Sequence, residues 1–144
     1  MEPQIASITH AIQLAVAPVF LLTAIATLIN VLSGRLSRIV DRRRLVHGRL
    51  CAPNDDSGGE DRAELAMLDR RSRLVYFAIF AAVLSALLVC LVVVAAFIGA
   101  LLAQDLWKVV ATLFILAMSS MVATLGLFLK EVYLAVLAGG HRRR

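Results

Sequence analysis

Four polar side chains, Gln13, Thr23, Thr27 and Asn30, lie inside Ala11–Leu32, a stretch of 22 residues without a charge. Their spacing follows turns of an α-helix: at about 100° per residue they fall on one side, with Thr9 and Gly34 in line. Val16 and Phe20 share that face, while Leu14, Leu21, Ile25, Leu28 and Leu32 fall on the opposite face, the side expected to meet lipid. Hydrocarbon cannot satisfy amides and hydroxyls, so the polar face should meet protein or water. Repeated around a symmetry axis, Thr and Asn would present rings of neutral oxygen and amide groups to a partly hydrated ion, and Val16 and Phe20 would form an apolar constriction. The stripe continues through Arg35, Arg38, Asp41, Arg42 and Arg49, which would line a vestibule that concentrates anions. The same residues admit two other uses. Thr and Asn can bond across a dry helix interface or back to their own backbone, and the arginines can form a solvated face or a phospholipid-headgroup patch.

These residues need a membrane helix to position them, and the composition supplies three. The chain has 144 residues, 60% of them hydrophobic, with a mean hydropathy of +0.85. Ala11–Leu32, Leu74–Ala103 and Val109–Leu129 each exceed the roughly 18 residues that make a membrane-spanning helix the default reading. The first run lacks a basic N-terminal flank and leads directly into a basic helix, so it is expected to be retained as an anchor, unlike a cleaved leader. Ten of the 15 Lys and Arg residues lie between Arg35 and Arg73, and three more are Arg142–Arg144. This bias places the N-terminus outside, segment 34–73 and the C-terminus in the cytoplasm, and the 104–108 link outside. Trp107 then sits at the outer interface, with Tyr76 and Tyr133 near the inner one. The net charge of +5 comes from this topological bias and does not point to nucleic acid.

Helical periodicity persists past the first apolar run, through Leu36, Ile39, Val40, Arg43 and Val46. Helix 1 is expected over about 8–50, with Pro18 tolerated inside it. CAPNDDSGG, residues 51–59, is the clearest breaker, giving a loop at 51–60. Asp61 with Glu64 resembles a capping box opening helix 2, expected over about 61–103, and an Asp69–Arg73 pair would support it. Asp105 is the expected cap of helix 3, about 106–138. The expected fold is a single all-α integral membrane domain over 1–144. Its three transmembrane helices include two that extend into a long cytoplasmic helical hairpin. Small residues on helix 2 (Ala78, Ala81, Ala82, Ser85, Ala86, Ala95, Ala96, Gly99 and Ala100) and on helix 3 (Ser119, Ser120, Ala123, Thr124 and Gly126) suit close helix packing in lipid.

No enzymatic constellation emerges. His10, His47 and His141 are too scattered to share a metal or haem, and Cys51 and Cys90 form no thiolate motif. The acids Asp55, Asp56, Glu60 and Asp61 lack the ligand order of a calcium loop. No phosphate-cradling glycine motif or nucleophile elbow occurs. No acid lies deep within an apolar run, and Lys130 and Glu131, near the inner surface, can snorkel or pair. No enzyme activity, cofactor or metal is therefore expected.

APVFLLTAIATLINVLSGRLSRIVDR, residues 17–42, resembles a bacterial membrane-protein family catalogued as domain of unknown function 2721. The likeness lies in Pro18, in Asn30, and in the Arg35-Leu36-Ser37-Arg38-Ile39-Val40-Asp41-Arg42 run. LDRRSRLVYFAI, residues 68–79, looks similar as well. The resemblance implies a small bacterial inner-membrane protein with about three membrane helices, and supplies no activity. The polar stripe itself leads to a homo-oligomeric ion channel lined by the first helix, with membrane lipids, further copies of the chain and permeant ions as partners. The alternative, of a different class, is a non-conducting scaffold or accessory subunit that docks a partner through its Arg-rich hairpin.

Overall fold

The computed structural model describes residues 2–50, 58–102 and 106–140, with side chains described for 16–50, 59, 61–102 and 106–137. Apart from Leu106, the described chain is helical: α1 spans Glu2–Leu50, α2 Gly58–Leu102 and α3 Trp107–Gly140. All three are long and apolar enough to cross a membrane. Large apolar side chains stand far out of the packed interior, including Phe80, Leu101 and Leu129. Such a surface is ordinary against hydrocarbon and a severe aggregation liability in water. Length, composition and surface together make this a multi-pass membrane protein.

The 51–57 breaker, the Asp105 cap and the last four residues lie outside the described residues. α2 begins at Gly58, so Asp61 stands inside its first turns and does not cap it. Acidic side chains there favour the positive end of the helix, which offsets part of the cost of starting on two glycines. At the start of α3, the Leu106 carbonyl accepts the Val110 amide at 3.1 Å.

The buried positions follow a single rule. Among the described side chains they are Ile25, Leu32, Ile39 and Val46 in α1, and Ala117, Thr124 and Glu131 in α3. Each series steps by seven. α2 carries two such series, Asp61, Leu68, Val75, Ala82 and Val89, and Ala78, Ser85 and Val92, with Ser72 outside both. Seven is the period at which helices keep one seam facing a neighbour. Two seams make α2 the shared partner, and its most apolar window is 28% buried against 11% for α1 and for α3.

The chain divides into two compact units, each built from all three helices. One comprises Met1–Ile29 with Ala81–Val122. Its core is Ile25, Ala82, Val89 and Ala117, flanked by Leu21, Leu22, Ile29, Ala86, Leu88 and Met121. Lipid exerts no hydrophobic drive on such a core, so close approach and hydrogen bonds must hold it. Small residues permit the approach. The Ser85 hydroxyl donates to the Ala117 carbonyl at 2.9 Å, and the Ser120 hydroxyl donates to Ala81 at 2.7 Å, joining α2 and α3 from both sides. Ser85→Ala should cost about 0.6 kcal/mol, the usual worth of such a bond between membrane helices, measured by reversible unfolding in mixed micelles.

The other unit comprises Asn30–Phe80 with Ala123–Arg144. It buries Leu32, Ile39 and Val46 of α1 and Leu68, Val75 and Ala78 of α2. Where its charged stretch meets water, burying a side chain such as Leu68 is worth roughly 1.5–3 kcal/mol. Arg42 Nε bonds Glu64 Oε1 at 2.8 Å, and Arg43 Nε lies 3.2 Å from Asp69 Oδ1. Asp69 therefore pairs across to α1, in place of the expected pairing with Arg73 on its own helix.

Candidate functional site

The apolar face of α1, expected to meet lipid, is instead the face that packs within the chain. The Leu and Ile face is the packing face: Ile25 and Leu32 are fully buried, and Leu21 and Leu28 half-buried. The polar face is the one that α2 and α3 leave uncovered. Val16, Phe20, Thr23, Thr27, Asn30 and Gly34 are all exposed, Phe20 at 71%. The physical reason lies in the seven-residue seam, which turns the apolar side of α1 inward and everything opposite it outward. The side chain of Gln13 lies outside the described residues.

Local bonds set the chemistry of this face. Thr23 Oγ1 donates to the Val19 carbonyl at 3.0 Å, and Thr27 Oγ1 to the Thr23 carbonyl at 2.9 Å. Each hydroxyl proton is spent on the helix itself, which leaves the Thr oxygens as acceptors facing outward. The Asn30 amide has no partner among the described residues. The face thus offers acceptor oxygens, one free amide, and the apolar Val16 and Phe20 one to two turns away.

The basic extension divides into two groups. Arg35, Arg38 and Arg42 line a cleft of about 330 Å³ with Ile39, Leu68, Arg71 and Glu131. Asp41 and Arg49 are exposed and stand apart from it. Glu131 of α3, which also lines the cleft, is only 1% exposed. Its Oε2 accepts from Arg35 Nη1 at 2.7 Å, and its Oε1 accepts from Arg71 Nη2 at 2.8 Å. One carboxylate therefore ties all three helices together. The Arg35 guanidinium also lies over the Phe128 ring, 4.9 Å from its centroid, a cation–π contact that fixes its plane. Arg71 Nε is buried without a hydrogen-bond partner.

In the sequence, Glu131 reads as an acid near the inner surface, able to snorkel or pair, and neither Arg35 nor Arg71 stands out as its partner. The available signal was its seven-residue step from Ala117 and Thr124. Arg71 was missed as a site residue altogether, since it stands in a run of arginines where each looks alike.

The sequence model of the family described as "Protein of unknown function (DUF2721)" matches residues 15–139 of the chain. No curated protein and no solved structure shows significant similarity to it.

Proposed function

We propose, for a chain that belongs to the DUF2721 family, that it is a homo-oligomeric ion channel with α1 lining the conduction path. The observation that carries this reading is the uncovered polar face of α1. Within an apolar run, Thr23, Thr27 and Asn30 point away from the chain's own packing seam. A single copy would expose them to hydrocarbon, which is unfavourable. Several copies around an axis turn the same residues toward one another and toward water. Thr oxygens and the Asn30 amide then contact the ion, and Val16 and Phe20 narrow the path. Arg38 and Arg49 supply the vestibule charge, since Arg35 and Arg42 are already paired with Glu131 and Glu64. The distribution of basic residues supports an orientation with the N-terminus outside and the C-terminus inside, and the family resemblance implies a bacterial inner membrane.

The test is current across a planar bilayer containing the purified protein. Discrete unitary currents are expected, and Asn30→Leu should reduce their amplitude several-fold. Silence in verified oligomers, or unitary currents identical in the variant, would remove the assignment.

A second reading has its own observation. The hydroxyl protons of Thr23 and Thr27 already bond their own helix, so the face can also lie against dry protein. The chain would then be a scaffold whose Arg-rich hairpin docks a partner. Spin labels at Thr27 and Asn30 separate the two: quenching by water-soluble reagents supports the channel, and protection from them supports the scaffold.

A further inference from the structure

The cleft of the 30–80 and 123–144 unit holds more positive charge than its own acids neutralise. Four guanidinium groups, from Arg35, Arg38, Arg42 and Arg71, line it. Two carboxylates face them: Glu131 between Arg35 and Arg71, and Glu64 on Arg42. Arg38 makes no ion pair or hydrogen bond among the described residues. Arg71 Nε is a buried donor with no acceptor. The cleft is therefore short of acceptors as well as of negative charge. Glu131 holds two of the four guanidiniums in place by one terminal nitrogen each, so the cost of ordering them is met before any ligand arrives.

We propose that this cleft binds the oxyanion of a phosphate group. Planar guanidiniums match phosphate oxygens through paired N–H donors, and a tetrahedral oxyanion can engage several at once. Arg38 and Arg42 stand one turn apart on α1 and make the direct contacts, with Arg35 oriented beside them by Glu131 and Phe128. The position in the chain suits a phospholipid headgroup as well as a free phosphate. Arg35 is the first charge after the apolar run of α1, and Glu131 lies two residues beyond that of α3. Arg73 is the last charge before the apolar run of α2. The charged cleft begins where all three runs end, at the level where headgroup phosphates gather. Leu68 supplies an apolar wall for whatever carries the phosphate.

The experiment uses the full chain in nanodiscs at constant ionic strength, with the thermal unfolding midpoint as readout. One arm adds inorganic phosphate to phosphatidylcholine discs. The other raises the fraction of phosphatidylglycerol in the discs. A saturable rise in the first arm identifies soluble phosphate as a ligand. A saturable rise confined to the second identifies the lipid headgroup. Arg38→Gln should weaken the response at least about tenfold; Arg38 is exposed and unpaired, so the fold is left intact. Arg44→Gln removes an equal charge from the same helix outside the cleft and should leave the response unchanged. No saturable rise in either arm, or equal responses from the Arg38 and Arg44 variants, would overturn the proposal.

Discussion

Glu131→Ala should destabilise the protein by about 3 kcal/mol, among the largest effects of any single substitution in the chain. The carboxylate is 1% exposed and is shared by Arg35 and Arg71. Removing it leaves two guanidiniums facing each other with no counter-charge, one of them with its Nε already lacking an acceptor. The Arg35 side chain is 37% exposed and can relax toward water, so the cost belongs at the lower end of the 3–5 kcal/mol range for breaking a buried pair. Glu131→Gln should recover only part of the loss, because an amide accepts one bond where the carboxylate accepts two. The triple replacement Arg35→Met, Arg71→Met, Glu131→Leu should cost far less than Glu131→Ala alone, since apolar groups of similar volume leave no orphaned charge. Unfolding in mixed micelles measures all three. Asp69→Ala is the reference: its pair with Arg43 is about half exposed on both sides, and its loss should cost under about 1 kcal/mol. Equal costs for Glu131→Ala and Asp69→Ala would show that Glu131 is no keystone.

The contrast between these two acids also marks what the sequence could convey. Hydropathy alone located three helices long and apolar enough to cross a membrane, because 20 apolar residues have few other fates in a chain of this size. It could not assign the faces of α1. Both sides of that helix are largely apolar, so a period of 3.6 finds the polar stripe but leaves open whether it points in or out. The deciding signal was the seven-residue spacing of Ile25, Leu32, Ile39 and Val46, matched in α2 and in α3. That period is visible only against residues of mixed size and polarity, among them Ala117, Thr124 and Glu131. Pairings between helices were beyond local rules. Asp69 has an eligible Arg73 four residues on, and Arg43 on another helix takes it. Arg35 and Glu131 are 96 positions apart, a separation at which no spacing rule operates. What the sequence could say of Glu131 was that a lone acid at the end of an apolar run needs a partner.

Ala117→Leu should be the most damaging change within the apolar core, costing about 3 kcal/mol. Ala117 is fully buried among Ile25, Ala82 and Val89, with one of the three helices contributing to each side of the contact. Three added carbon atoms have nowhere to go unless α3 moves away from its neighbours. Movement would stretch two of the hydrogen bonds between α2 and α3, because the Ala117 carbonyl accepts from Ser85 and Ser120 donates to Ala81. In water a larger side chain would regain part of this loss through hydrophobic transfer. In lipid it regains little, because hydrocarbon outside the bundle is as apolar as the interior. The penalty is therefore mostly lost packing, together with about 0.6 kcal/mol for each weakened bond. Ala111→Leu is the control, since Ala111 is exposed on the same helix and the added surface meets lipid. Its stability in mixed micelles should match the unmodified chain within about 0.5 kcal/mol. If the two variants unfold alike, the small residues of α2 and α3 do not set the distance between these helices.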